Sequence, residues 1–133
     1  MEIDWKPLVR DIAIVWVAQN LGGLVVGFMG ALLVGRNAIA DPRVQMAGIF
    51  SNFIFGVVGF TIVGALARTD RFKHLLLVGL CVWLIGLSAL LVIPMTLKQW
   101  FIGGGLFQVL IVLIGCGLSF LFRAPSPRQR SGV

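Results

Sequence analysis

Few residues in this sequence have side chains that could act in catalysis. The only histidine, His74, lies in the basic segment RTDRFKH, and no serine, cysteine or carboxylate is placed by sequence spacing to work with it. The five carboxylates lie at the ends of apolar segments or between them; they are Glu2, Asp4, Asp11, Asp41 and Asp70. The sequence therefore predicts neither an enzyme nor a cofactor.

The two cysteines, Cys81 and Cys116, also lack companions for metal chemistry. A thiolate metal site needs further cysteine, histidine or carboxylate ligands at short spacing, and neither cysteine has them. Both are nearly equidistant from the short segment around Lys98 and Gln99, so we expect them at a similar level. We interpret them as small apolar residues, and whether they interact stays open.

Neutral polar side chains inside apolar segments are the remaining groups that could handle a solute: Gln19, Asn20, Ser51, Asn52, Thr61, Ser88, Gln108 and Ser119. At a helical rise of about 1.5 Å per residue, Asn52 and Gln108 both lie roughly 10–12 Å below the predicted outer surface, so they could meet. On the same counting, Gln19 and Asn20 share an inner level with Thr61. These residues either form interhelical hydrogen bonds, worth about 0.6 kcal/mol each, or line a narrow polar path.

Four long apolar segments must position these residues, and they run from about 12 to 34, 46 to 67, 75 to 97 and 101 to 122. A helix crosses a hydrocarbon core about 30 Å thick with roughly 20 apolar residues. Because 59% of the chain is hydrophobic and only 12% is charged, a water-soluble bundle would lack polar surface. The sequence predicts an all-α integral membrane protein, with one up-down-up-down four-helix domain over residues 1–122.

Basic residues are distributed unevenly across this topology. The side with both termini and the loop between spans two and three carries eight: Lys6, Arg10, Arg68, Arg71, Lys73, Arg123, Arg128 and Arg130. The opposite side carries three: Arg36, Arg43 and Lys98. Short loops rich in lysine and arginine remain in the cytoplasm. We therefore expect cytoplasmic termini and a multi-pass protein of a bacterial inner membrane.

The formal charge of +6 comes mainly from residues that flank the spans. Such a distribution argues against nucleic acid as a partner and favours anionic lipid headgroups, at about 1 kcal/mol per basic residue near the surface. The expected lipid contacts are Arg68, Arg71, Lys73 and Arg123. The basic tail over residues 123–133 contains two prolines and no apolar run, so we expect it to be disordered.

Small residues recur at helical spacing in the first two spans. Asn20, Gly23, Gly27 and Gly30 follow one another in the first, and Gly48, Asn52, Gly56 and Gly59 follow one another in the second. Such stripes let helix backbones approach closely in lipid. We expect the two stripes to face each other, or one of them to form a subunit interface.

Two families of four-span membrane proteins are similar to this chain in size. Small multidrug exporters depend on a glutamate in the first span, which this sequence lacks. Dual-topology fluoride channels carry a threonine- and phenylalanine-rich motif in the third span, which is also missing. The sequence is therefore assigned to no family.

The membrane spans lack catalytic side chains, and the stripes of small residues are suited to helix contact. Both features favour a non-catalytic membrane protein. Its expected role is self-association or service as an accessory or structural subunit of a larger membrane complex. The alternative is a passive channel or transporter for a small neutral or anionic solute. In that case the protein would act as an oligomer and the path would follow Asn52, Gln108, Asn20 and Thr61.

Overall fold

The computed structural model describes residues 5–67, 70–91 and 96–122, and they form helices joined by short turns. Helix α1 spans Trp5–Val34 and continues as a 3-10 turn over Gly35–Ala40. Helix α2 spans Pro42–Leu66.

Helix α3 spans Arg71–Ile85 and continues as a 3-10 turn over Gly86–Leu91. Helix α4 spans Leu97–Ser119. Its helical pattern changes to a π turn over Trp100–Gly104, which inserts extra backbone where three glycines follow one another at 103–105.

All four helices are long and apolar enough to cross a membrane, which confirms the predicted all-α architecture with four membrane-length segments. Their outer faces are covered by large apolar side chains, such as Leu24, Phe28 and Leu33, which are 70%, 67% and 79% exposed. Water would not solvate such a surface favourably, whereas lipid tails would. Four helices of this length and composition are typical of a multi-pass membrane protein.

Helix α1 begins at Trp5, earlier than the predicted start near residue 12. Hydropathy marks where the apolar run begins, but a helix also continues through charged residues such as Lys6 and Arg10. Pro7 does not interrupt it, because the first four N–H groups of a helix have no partner within that helix.

The starts of α2 and α4 are set by capping side chains. The Asp41 carboxylate accepts the Arg43 N–H at 2.7 Å, and Pro42 occupies the first helical position. At α4, Thr96 and Gln99 form a reciprocal capping box. Both helices therefore begin four residues before the apolar runs at 46 and 101.

The third span differs most from its prediction over 75–97. Helix α3 begins at Arg71, directly after Asp70 in the left-handed conformation, and the 3-10 turn that follows α3 ends at Leu91. Residues 92–95 and the predicted disordered tail at 123–133 lie outside the described residues. The α-helical part of the third span is therefore shorter than predicted.

The four helices form a bundle in which α2 packs against α1 and α4, and α3 packs against α4 and α1. The core consists of apolar side chains from all four, among them the fully buried Val15, Phe60, Leu75, Val78 and Ile111. The interior of this bundle is therefore packed with hydrocarbon side chains.

Phe60 lies at the centre of that core because glycines on two neighbouring helices leave room for it. A Cβ on Gly115 would lie 2.5 Å from the Phe60 Cβ, and a Cβ on Gly79 would lie 3.6 Å from its ring. The same Gly79 position is 2.6 Å from a Val112 methyl group, so α3 and α4 also touch there. Close backbone approach therefore joins α2, α3 and α4.

We predict that Gly115→Val destabilises the bundle by about 1–3 kcal/mol, the usual range for overpacking a filled core. The added side chain would overlap Phe60 and the Val57 carbonyl. The measurement is the free energy of unfolding in mixed detergent micelles, with circular dichroism as the signal that monitors unfolding. Gly117→Val is the matched control, because a Cβ at Gly117 meets nothing within 4 Å; equal effects of both substitutions would contradict the packing described.

Candidate functional site

Three glycines of the predicted stripes lie at helix contacts. Gly30 faces a Val44 methyl group, 2.8 Å from its Cβ position, and Gly59 faces the Val15 Cα at 3.3 Å. Gly56 lies against the Gln19 amide. In each case the glycine carries only a hydrogen atom where a larger side chain would hold α1 and α2 apart.

The other stripe glycines face open space. A Cβ built on Gly23, Gly27 or Gly48 would meet no atom within 4 Å. The two stripes therefore do not face each other along their length. Instead Gly22, which the sequence analysis passed over, approaches Ser51 and Phe55 of α2.

The two asparagines of the stripes also lie away from the core. Asn20 is exposed, and its amide donates to the Trp16 carbonyl one turn earlier at 2.7 Å. Asn52 is partly exposed and does not form the expected contact with Gln108. An α1 face bearing Asn20, Gly23 and Gly27 is thus directed outwards, and we call it the outward glycine face.

Gln108 instead pairs with Gln19 across the bundle, where the Gln19 Nε2 donates to the Gln108 Oε1 at 3.4 Å. Thr61 donates to the Val57 carbonyl within its own helix at 2.7 Å and lies 3.5 Å from the Gly115 carbonyl. Within the described residues, Asn20 and Thr61 donate to backbone carbonyls, Gln108 bonds to Gln19, and no hydrogen bond joins Asn20, Asn52, Thr61 and Gln108 to one another.

An ionic cluster that the sequence analysis missed lies at one end of the bundle. Asp11 of α1 is 1% exposed, yet its carboxylate contacts two cationic or potentially cationic groups. The Arg10 Nε donates to Oδ1 at 2.8 Å, and the His74 Nε2 lies 2.8 Å from Oδ2. His74 is on the first turns of α3, so this cluster ties α1 to α3.

Burial gives the cluster its importance. A buried carboxylate is costly unless it is paired and hydrogen-bonded, and here both of its oxygens have partners. The imidazole is 21% exposed and so remains in reach of water while its Nε2 faces the carboxylate. The arrangement is a half-open carboxylate–imidazole pair at one end of the bundle.

Sequence reasoning had placed Asp11 and His74 at the ends of the spans or between them, and it assigned no carboxylate to His74. Extending α1 back to Trp5 and α3 back to Arg71 places both residues inside helices. The signal that could have located them is the helical spacing of Asp11 with Leu8, Val15 and Gln19, which together form the buried face of α1.

The structure describes two of the four predicted lipid-contact residues, Arg71 and Lys73. Arg71 donates from Nε to the Ala67 carbonyl at 3.2 Å and from Nη1 to the Ser119 carbonyl at 3.5 Å. It therefore neutralises the negative carbonyl ends of α2 and α4. Lys73 is exposed, and its Nζ lies 3.9 Å from the Asp70 carboxylate. Arg68 and Arg123 lie outside the described residues.

The thiols occupy different environments, since Cys116 is buried and Cys81 is partly exposed, and both are free. In the part of the chain that the structure describes, no group of three or more histidine, cysteine or carboxylate side chains could hold a metal ion.

Comparison with protein families, with curated proteins and with solved structures gives no match to this chain.

We predict that Asp11 and His74 are energetically coupled. Asp11→Asn and His74→Gln should each lower the free energy of unfolding. The double substitution should lower it by about 0.5–3 kcal/mol less than the sum of the two single effects, because both single substitutions remove the same contact. The measurement is a double-mutant cycle on the free energy of unfolding in mixed micelles.

The matched control for this cycle is the pair Asp70→Asn and Lys73→Gln, which removes an exposed ion pair with a longer separation. Exposed pairs contribute at most about 1 kcal/mol. A coupling between Asp11 and His74 no larger than that of the control would contradict a structural role for the cluster.

Proposed function

We propose that this protein is a non-catalytic four-helix membrane protein that works by associating with other transmembrane helices. It acts either as a homo-oligomer or as an accessory subunit of a larger membrane assembly. The observation that carries the proposal is the outward glycine face of α1, where Gly23 and Gly27 are one turn apart and uncovered.

A glycine pair at this spacing is well suited to helix association in lipid. The hydrophobic effect does not drive helices together there, so contact depends on close backbone approach and interhelical hydrogen bonds. Gly23 and Gly27 offer bare backbone, and the exposed Asn20 amide lies on the same flank. A partner helix could therefore approach α1 closely and bond to Asn20.

The filled interior also supports association over solute passage by a single chain. Val15, Val78 and Ile111 have no exposed surface, and they lie among side chains from all four helices. A solute path would then have to form between copies of the chain. A passive channel or transporter remains the second interpretation, although no hydrogen bond among the described residues joins Asn20, Asn52, Thr61 and Gln108 to one another.

We also propose that the protein lies in a bacterial inner membrane with both termini in the cytoplasm. The support is the bias of eight basic residues against three between the two sides. Exposed Lys73 lies on the proposed cytoplasmic side, where anionic lipid headgroups would meet it.

We predict that the double substitution Gly23→Ile with Gly27→Ile lowers the mass of the complex extracted gently from the native membrane. Both side chains project into open space, so the single chain should remain folded while a partner helix is held away. Intact-complex mass measurement and identification of every co-purifying chain provide the readout.

Gly117→Ile serves as the control, because it adds the same side chain to an uncovered glycine on α4. We expect this variant to keep the wild-type mass and partners. Retention of the wild-type assembly by the Gly23/Gly27 variant would contradict the proposed face, and a wild-type protein extracted as a single chain would contradict association itself.

We predict that a fluorescent protein fused after Val133 folds in the cytoplasm, whereas alkaline phosphatase at the same place is inactive. The physical reason is retention of lysine- and arginine-rich loops on the cytoplasmic side. Active phosphatase in that fusion would reverse the proposed orientation.

A further inference from the structure

Three buried hydrogen-bond donors among the described residues have no acceptor. They are the indole Nε1 atoms of Trp83 and Trp100 and the amide Nε2 of Gln108. Buried indole N–H groups usually find a partner, and a buried donor without one is unfavourable in lipid as well as in protein. Three such donors in one part of a small bundle call for a ligand that accepts hydrogen bonds.

The donors belong to neighbouring positions of α3 and α4. The rings of Trp83 and Trp100 stack with centroids 6.5 Å apart and planes inclined by 11°. The Trp83 Nε1 lies 3.5 Å from the Cβ position of Gly104. Gln108 follows Gly104 by one helical turn, which places its Cβ on the same side of α4 as the Gly104 position.

Two local features hold these groups in place. A Cβ on Gly86 would come within 2.9 Å of the Trp100 ring, so the glycine lets that ring lie against the 3-10 turn that follows α3. The Gln108 Oε1 accepts from Gln19, which leaves its Nε2 as the free end of the amide. The π turn over Trp100–Gly104 sets the rotation of this end of α4, and π turns often occur at functional sites.

The unpartnered groups are all donors, and this determines the class of ligand. Water would accept from them but would itself need acceptors for its two hydrogens, whereas a small anion only accepts. An N–H contact to the Phe101 ring, which is edge-on to Trp83 at 5.0 Å, could serve only one of the three donors.

The charges nearby also favour an anion. Neither α3 nor α4 contains a carboxylate, and Lys98 lies on the first turn of α4. The amino end of a helix carries partial positive charge, so the site is at the favourable end of α4.

We propose that Trp83, Trp100 and Gln108 form a binding site for a small inorganic anion of the halide type between α3 and α4. The indole and amide N–H groups replace the hydration shell of the ion. The site lies within one chain, so it does not depend on the proposed association through α1.

The experiment is a titration of the 15N-labelled full-length protein in detergent micelles, with chloride or bromide against gluconate at constant ionic strength. The chain has four tryptophans, and their indole N–H resonances can be followed separately. Trp83 and Trp100 should shift and saturate with halide. Trp5 and Trp16, which are 66% and 45% exposed, are internal controls and should not saturate.

Substitutions then test the assignment. Trp83→Phe keeps an aromatic ring but removes one donor, so it should weaken halide binding at least tenfold, about 1.4 kcal/mol. Trp100→Phe removes the second donor and provides an independent test if the Trp83 variant does not fold. Trp16→Phe should leave the affinity unchanged. The proposal would be overturned if the indole resonances responded equally to halide and gluconate, and the donors would then be assigned to bound water. It would also be overturned if both phenylalanine variants kept the wild-type affinity for halide.

Discussion

The close approach of glycine backbones around Phe60 is the constraint on which the bundle depends. Since lipid tails are as apolar as the core, burying Phe60 gains little from leaving the solvent, and stability must come from fit. Gly115 and Gly79 leave the space that the ring fills, and the same approach brings α3 and α4 together. The positions of the polar groups follow from this packing, because it sets the rotation and depth of α4 and therefore directs Gln108 towards Gln19.

The number of helices could be predicted from the sequence, but which face of each helix packs inside the bundle could not. An apolar run of membrane length predicts a helix with few alternatives, and all four are present. In water the inner face of a helix is its apolar face, but here both faces are apolar, so periodicity is a weak guide. Gly22 and Gly23 are adjacent in sequence, yet one packs against Ser51 and the other faces outwards. Only packing distinguishes them.

The polar groups were harder still to place, for two different reasons. Asp11 and His74 were assigned to the ends of apolar runs, because hydropathy detects the hydrocarbon core and overlooks helical turns that extend beyond it. Gln108 was correctly placed inside a span, but its partner depends on the rotation of α4, which the π turn changes. Within this fold, polar side chains are satisfied by a few specific contacts, and the groups left over, such as the two indoles, stand out because the rest of the interior is apolar.

The buried cluster also has a consequence for the order in which the protein is made. His74 lies 63 residues beyond Asp11, so it is not yet synthesised when α1 first leaves the ribosome. Arg10 is the adjacent residue and can contact the carboxylate from the start. The nascent first helix therefore carries its own counterion for Asp11, and the arrival of α3 adds His74 as the second partner.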